Sequence, residues 1–295
     1  MEENSYCYTF QEQKYPSGLL DKSIDATYVI NLRANGRYES ILKEIDEYTP
    51  TRIIYIVFND GFKKCKKNIP QSTTPTSALD LVDATLQIYK HANQMNYKNI
   101  LILEDDCFFD KKIQDKKVLN DLTTFFINHK ETSFTYRIGY IPVLAIPFLT
   151  HLCYGLYGGL HAYVISESAR QSILTKDQFT IKDIDEHVQF FTTQYAYYMP
   201  LAYQLFPATE NQQVWGANSQ VLPSFITRFI AQIAIYNGNL LNLDKSAYPG
   251  YTIMCIISRI LFCILILLAL FIIYKGVQYS PLVIKQVLKL FKLPL

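Results

Sequence analysis

The chain has 295 residues, of which 49% are hydrophobic and 18% charged, enough for one α/β domain with a real core, which argues against wholesale disorder. The net charge of +2 conceals an asymmetry, because residues 251–295 contain five basic residues and no acid, which leaves 23 basic and 26 acidic residues before them. A slightly acidic body with a basic, apolar tail indicates contact with a lipid membrane and no binding of nucleic acid.

Two features bear on the cellular compartment. Six cysteines are scattered along the chain without the close spacing of a zinc or redox motif, so free thiols in a reducing compartment are expected. The first 13 residues are polar with no apolar run, which predicts that no signal peptide begins this sequence. Residues 1–24 as a whole are predicted to form an irregular lead-in.

The first half of the chain alternates strand and helix patterns. A strand is predicted over 26–32, and a helix over 38–48 ends before Pro50, because proline lacks the donor that a helix needs. A second strand is predicted over 52–58. It is followed by a basic loop over 63–77.

A second helix is predicted with Ser77 as its N-cap and Asp80 in its favourable first turn. The run over 100–103 is apolar at every position, which is typical of a strand buried on both faces. Strand, helix, strand, helix, strand in this order predicts an α/β fold with a mostly parallel central sheet.

The second half is less regular. Residues 140–148 are apolar but contain two prolines, which indicates a short edge strand or a loop. A strand is predicted over 160–165, and Ser166 is positioned to cap the helix that follows. A further helical segment is predicted to open at Asp183.

The C-terminal region is predicted to meet a membrane. Residues 253–274 carry one charge, Arg259, and a helix of that length spans the hydrocarbon core of a bilayer. Residues 281–293 alternate lysines with apolar residues, as a basic amphipathic helix on an anionic lipid surface does. The predicted division is therefore a lead-in (1–24), a catalytic domain (25–225), a linker (226–250), a transmembrane segment (251–275) and an amphipathic tail (276–295).

The orientation of this anchor is left open between a single pass and a monotopic arrangement. Late insertion of a C-terminal segment leaves the body facing the cytosol, which is the arrangement that we expect. The basic tail argues for the opposite orientation, because lysines prefer the cytoplasmic side of a membrane.

Three consecutive carboxylates, Glu104, Asp105 and Asp106, follow the buried strand predicted over 100–103. Like charges this close repel each other, and burial raises their pKa values further. A divalent cation relieves both costs, and hard oxygen ligands suit Mg²⁺ or Mn²⁺. Ligands of open parallel sheets bind outside the carboxyl ends of the strands, so the position is also suitable.

Three segments carry a resemblance to a known family. They read YVINLRANGRYESI at 28–41, ILILEDDCFF at 100–109 and GLHAYVIS at 159–166. In this order and approximate spacing they resemble the lipooligosaccharide-type galactosyltransferase family (glycosyltransferase family 25). The resemblance covers residues 26 to about 190 and implies a GT-A-like nucleotide-sandwich fold that uses a nucleotide-sugar donor and Mn²⁺ (or Mg²⁺).

The resemblance also implies roles for individual residues. Glu104 and Asp106 match the outer carboxylates of a DxD-like motif, with Asp106 on the metal and Glu104 at the ribose or in the metal shell. Asn31 and Arg33 match the first-strand motif near the nucleotide, and Asp105, between the two outer carboxylates, is likewise expected to contact the donor.

The positions of other residues indicate further candidate roles. Asp185 is predicted to be the general base for the acceptor hydroxyl, with Glu186 and His187 as further candidates. His161 is a third metal ligand in one interpretation and an ordinary strand histidine in the other. Arg37 or the lysines at 63–67 are candidates to neutralise phosphate. Trp215 and the tyrosines at 195–203 are candidates to stack on a sugar ring.

The chain departs from the family in one place. Thr76-Ser77-Ala78 stands where the family has a Ser-His pair, so contacts made there are in doubt. The leading hypothesis is a membrane-anchored hexosyltransferase that acts on a glycan, lipid or protein hydroxyl. A nucleotidyltransferase and a non-catalytic interaction protein on a degenerate GT-A fold are the alternatives.

Overall fold

The computed structural model describes residues 5–67, 76–149, 152–205, 223–243 and 245–290. Its strands are β1 (Tyr8–Lys14), β2 (Ala26–Leu32), β3 (Ile53–Asn59), β4 (Asn99–Glu104), β5 (Cys107–Phe109), β6 (Thr135–Leu149), β7 (Leu152–Ser166), β8 (Gln194–Ala196) and β9 (Ala202–Gln204). Its helices are α1 (Tyr38–Tyr48), α2 (Ser77–Gln94), α3 (Lys116–Asn128), α4 (Glu167–Leu174), α5 (Ile184–Phe191), α6 (Ser224–Leu240) and α7 (Gly250–Leu290).

All nine strands belong to one sheet, in the order β1-β3-β2-β4-β7-β8-β6-β9-β5. Strand β2 is parallel to both β3 and β4, as the first half of the sequence predicts. The prediction of a mostly parallel sheet is wrong for the remainder, because β4 pairs with β7 antiparallel and β6 and β7 form an antiparallel hairpin. Two strands joined by so short a connection cannot run parallel, since that requires a crossover of a dozen or more residues.

Helices cover both faces of the sheet. Helices α1 and α3 pack on one face against alternate residues of β4, including Leu101 and Leu103. Helices α2, α4 and α5 pack on the other face against Ile100 and Ile102. The strictly apolar β4 is therefore buried on both sides, and the next residue in this alternation, Glu104, falls on the side of α5.

The lead-in over 1–24 is more ordered than expected. Strand β1 pairs antiparallel with β3 at the edge of the sheet, where alternating polar residues suit a strand with one solvated face. The expectation of free thiols throughout is also wrong, because Cys7 and Cys65 form a disulfide. Their sequence separation of 58 residues gave no motif by which the pair was recognisable.

The apolar segment around Pro142 and Pro147 is a full strand, not a short one or a loop. Proline is tolerated because the β6–β7 pairing is interrupted by register shifts, two of which follow directly after these prolines. The hairpin bends with these interruptions, and its inner face encloses a small cluster that contains Ala145, Cys153 and Tyr157.

The C-terminal region is helical. Much of the expected linker over 226–250 forms α6, which ends ten residues before α7 begins. The segment Gly250–Gly276 of α7 is long and apolar enough to cross a membrane, and its most apolar stretch has a mean hydropathy of 3.1. Helix α7 continues to Leu290, so residues 281–290 of the segment expected as a separate amphipathic helix prolong it, and residues 291–293 lie outside the described residues.

Candidate active site

The three carboxylates lie where the sheet directs them. Because β2 and β4 are parallel neighbours, with Ile30 paired to Glu104, both strands end at the same edge. The turn of Asp105 and Asp106 follows β4 and leads into β5, and the loop from β2 to α1 lies beside it. The carboxyl edge of this parallel pair is therefore acidic, as the sequence predicts.

Asp105 is the most constrained of the three carboxylates. Its Oδ2 atom accepts hydrogen bonds from Asn31 Nδ2 at 3.1 Å, from the Leu32 backbone N–H at 3.0 Å and from Asn35 Nδ2 at 2.7 Å. Burial raises the pKa of Asp105, whereas the hydrogen bonds from Asn35 and Leu32 lower it. Asp105 and Asn31, both predicted to contact the donor, thus bind each other and fix the acidic turn to the β2–α1 loop.

Asp106 is held from two sides. Arg37 Nη1 lies 2.6 Å from its Oδ2 atom and 3.3 Å from Asp105 Oδ1. On the other side, Gln204 Nε2 donates to Asp106 Oδ1 at 3.0 Å and approaches Glu104 Oε2 at 3.4 Å. The guanidinium of Arg37 and the amide of Gln204 therefore orient the turn. Arg37, a candidate to neutralise phosphate, binds the carboxylates in this structure.

Glu104 and Asp185 form a second, less compensated part of the site. Burial raises the pKa of Glu104 well above its usual range, and the charges of Asp106 and Asp185 raise it further. Burial and the charge of Asp183 raise the pKa of Asp185 to about 7, while Arg137 opposes the shift. The structure therefore brings the predicted base on α5 into electrostatic contact with the acidic turn.

Polar atoms without partners mark this second part. Asp185 Oδ1 and Arg137 Nη2 are buried, and neither has a hydrogen-bond partner among the described residues. Arg137 is fixed through its other nitrogens, which donate to Gln194 Oε1 at 3.1 Å and to the Gly159 carbonyl. Leaving such groups unsatisfied costs free energy, and binding sites are where this is usual. A polar ligand group can supply the missing partners.

His161 is not part of an acidic metal cluster. Its Nε2 atom lies 3.3 Å from the Ala202 carbonyl, and burial lowers its pKa to about 4, which keeps the ring neutral. Across the described ranges, no group of three His, Cys, Asp or Glu side chains converges closely enough to hold a metal ion. Glu104 and Asp106 offer the hard oxygen atoms that Mg²⁺ and Mn²⁺ prefer, and such ions are commonly shared between one or two carboxylates and substrate phosphates. The residues fit an ion shared with a phosphate ligand, not a site formed by protein alone.

Two other predicted site residues have different environments. Arg33 points toward β1 and β3, where its Nε lies 3.0 Å from Asp60 Oδ1 and its guanidinium stacks 4.4 Å above the Phe58 ring. Glu186 lies beside Asp185 in the first turn of α5, and its backbone N–H donates to the capping residue Asp183. The charge of Asp185, not that of Glu186, acts on Glu104.

One further candidate, Lys67, has its partner elsewhere. Lys67 is buried, with its Nζ 2.5 Å from Asp80 Oδ1, so it pairs with a carboxylate of α2. Trp215 lies outside the described residues.

Three residues of the site were not predicted from the sequence. Asn35 is uncharged and is not among the residues of the segment 28–41 that match the family, and Gln204 is uncharged and stands in no motif. Arg137 had a signal, because a charge inside the apolar run FTYRIGYI is costly to bury unless it has a function or partners.

The fold and the site together define a mixed α/β protein with an acidic turn at the carboxyl edge of its sheet and a C-terminal helix able to span a membrane. No family model matches the sequence, and no curated protein matches it. A solved structure described as a glycosyltransferase involved in the glycosylation of the major capsid of PBCV-1 aligns with 70% of this chain and 98% of its own. Its sequence identity is 9% and its TM-score 0.31, so the alignment carries no argument about function.

Proposed function

We propose that the protein is a membrane-anchored glycosyltransferase that moves a hexose from a nucleotide-sugar donor to a hydroxyl acceptor. Galactose is the sugar transferred by the family whose motifs the chain resembles. The observation that carries the proposal is the acidic turn of Asp105 and Asp106 at the carboxyl edge of the parallel strands β2 and β4. Arg37 and Gln204 orient the turn of Asp105 and Asp106, and the half-buried Asp185, whose Oδ1 atom has no hydrogen-bond partner among the described residues, raises the pKa of Glu104. The motif order that resembles family 25 is independent support.

Each group has a role in this proposal. Asp105 positions the turn. Arg37, beside Asp105 and Asp106, would also compensate the negative charge of a leaving nucleoside diphosphate. Glu104 and Asp106 would hold a divalent ion together with the donor phosphates, and that ion would supply Lewis-acid neutralisation of the leaving group.

Asp185 is the proposed general base. A base with a pKa of about 7 is half-ionised at neutral pH, which suits abstraction of a proton from a hydroxyl. Activity is expected to rise from pH 6 to pH 8 as Asp185 loses its proton. Arg137 then stabilises the ionised form.

The test is release of nucleoside diphosphate from a panel of UDP-sugars by the full chain in detergent, with Mn²⁺ present. Asp185→Asn is expected to lower kcat by roughly 10²–10⁴-fold, and Asp106→Asn to abolish turnover. Asp46→Asn, at an exposed position of α1, is the matched control. Turnover that is equal in all of these variants would overturn the proposed mechanism.

Ligand-dependent melting separates the alternatives, because a ligand that binds only the folded state stabilises it by mass action. Stabilisation by UDP-sugars supports the transferase, and stabilisation by NTPs alone supports a nucleotidyltransferase. A melting temperature that no nucleotide and no divalent ion changes supports a non-catalytic interaction protein.

A further inference from the structure

The β6–β7 hairpin has an apolar face that the described chain leaves exposed. The exposed fractions are 69% for Phe148 and 48% for Leu149 in β6, and 43% for both Tyr154 and Leu156 in β7. Their neighbours Ala145 and Cys153 are buried on the opposite, inner face. Several large apolar side chains grouped on one element of a folded protein usually mark a surface for a partner or a membrane.

This hairpin lies directly against α7. Ala145 N–H donates to Ser258 Oγ at 2.8 Å, and Ser258 Oγ in turn approaches the Ala145 carbonyl at 3.5 Å. Four residues earlier in β6, Ile141 shares a buried cluster with Tyr251, which precedes Ser258 by two turns of α7. Strand and helix therefore run side by side in the same direction, and α7 covers the open edge of β6.

The exposed surfaces of the two elements are both apolar. Ile256 and Ile257, which directly precede Ser258 in α7, are exposed, and so are Ile260 and Leu261 within the turn that follows it. Arg259 directs its Nη2 atom to the Tyr198 carbonyl at 2.7 Å, so the charge in this stretch is bound to the body and not presented to the exposed side. Both α7 and the hairpin therefore expose apolar side chains close to the contact between Ala145 and Ser258.

We propose that the exposed face of the β6–β7 hairpin inserts into the same lipid bilayer as α7, forming a second membrane-contacting element. The occupant is the acyl-chain and headgroup boundary of the bilayer, because a bilayer that accepts α7 also meets the apolar side chains beside its first exposed turns. Aromatic residues such as Phe148 and Tyr154 are suited to that boundary. This inference does not depend on the proposed sugar transfer.

The test uses tryptophan fluorescence of the full chain in phosphatidylcholine vesicles whose acyl chains carry bromine near the headgroup end. Trp215 is the single tryptophan of the sequence, so Trp215→Phe provides a silent background. Phe148→Trp reports from the hairpin. Tyr6→Trp is the control, because exposed Tyr6 precedes β1 at the opposite edge of the sheet from the hairpin.

Loss of fluorescence in brominated vesicles for Phe148→Trp, with none for Tyr6→Trp, is the expected result. Equal quenching of the two variants by the brominated lipid, with the chain recovered in the vesicle pellet, would overturn the proposal. That result would favour a second copy of the chain as the occupant of the hairpin's apolar face. A chain that stays in the supernatant would also overturn it. If the Trp215→Phe background unfolds, the same comparison is made on the additional quenching of each variant over the parent, with Leu149→Trp as a second reporter.

Discussion

The Tyr251 hydroxyl and the Gln204 backbone form a reciprocal pair of hydrogen bonds: the hydroxyl donates to the Gln204 carbonyl at 3.0 Å and accepts from its N–H at 3.3 Å. Tyr251 lies in the first turn of α7, and the side chain of Gln204 binds Asp106 and approaches Glu104. A single residue therefore connects the apolar helix with the acidic turn. A change at the start of this helix is expected to alter the site.

Tyr251→Phe tests this connection. The substitution keeps the buried ring but removes both hydrogen bonds, so we expect a stability loss of about 1–2 kcal/mol. We also expect weaker turnover, because Gln204 then orients Glu104 and Asp106 less well. Urea unfolding and steady-state kinetics measure the two effects. Tyr236→Phe, on the exposed face of α6, is the control. Identical behaviour of both variants would show that the helix does not support the site.

Arg37→Gln tests whether a divalent ion can replace the Arg37 guanidinium beside Asp105 and Asp106. Without the guanidinium, Asp105 and Asp106 repel each other, and we expect a loss of about 1–3 kcal/mol in the absence of divalent ions. Mn²⁺ is expected to raise the melting temperature of this variant more than that of the parent, because it finds uncompensated carboxylates. Arg33→Gln breaks an exposed pair with Asp60 and should show no such difference. An equal effect of Mn²⁺ on all three chains would contradict this role of Arg37.

Asp185 gives the stability a pH dependence of defined sign. Its pKa is raised from 3.8 to about 7 in the folded chain, so between these values the folded state binds more protons than the unfolded state. The contribution of this group is therefore fully present below pH 3.8 and is lost as the pH rises through 7. Asp185→Asn cannot ionise, so it should be more stable than the parent at pH 8, by up to about 4 kcal/mol. The difference should shrink toward pH 4.

Chemical unfolding at pH 4, 6 and 8 measures this dependence. Asp46→Asn, at an exposed site, should follow the parent at every pH. A stability difference between Asp185→Asn and the parent that stays constant over this range would show that Asp185 does not titrate as inferred.

Reduction of the Cys7–Cys65 disulfide tests the expectation about the compartment. The bond closes a loop of 58 residues, and removing it should cost about 4 kcal/mol through the greater freedom of the unfolded chain. Thermal melts with and without dithiothreitol measure the change, and Cys7→Ser should abolish the sensitivity to reductant. Cys263→Ser, at an exposed free thiol, should retain it. A chain whose thiols at 7 and 65 both react with a labelling reagent would restore the original expectation.

Local sequence patterns determined the elements of the first half. The helix over 38–48 and the strand over 26–32 are confirmed at both ends, and the cap at Ser166 forms as predicted. The cap predicted at Ser77 is wrong by one residue, because Thr76 Oγ1 accepts from the Leu79 backbone N–H at 3.3 Å. The confirmed predictions succeed because strand alternation, helical spacing and capping are properties of a few neighbouring residues. The acidic turn was located for the same reason, since an apolar strand followed by three carboxylates is visible in the sequence alone.

Contacts between distant residues were decided only by the tertiary structure. Strand β7 pairs antiparallel with both β4 and β6, and Cys7 forms a disulfide with Cys65 across 58 residues. Likewise, no pattern indicates that Gln204 would reach Asp106 or that Arg137 would face Asp185. The chain by itself determined which chemistry is available and which edge of the first strands bears it. Only folding decided which cation and which amide compensate those charges, and that α7 supports them through Gln204. These partners are brought together by strand pairing and not by sequence proximity.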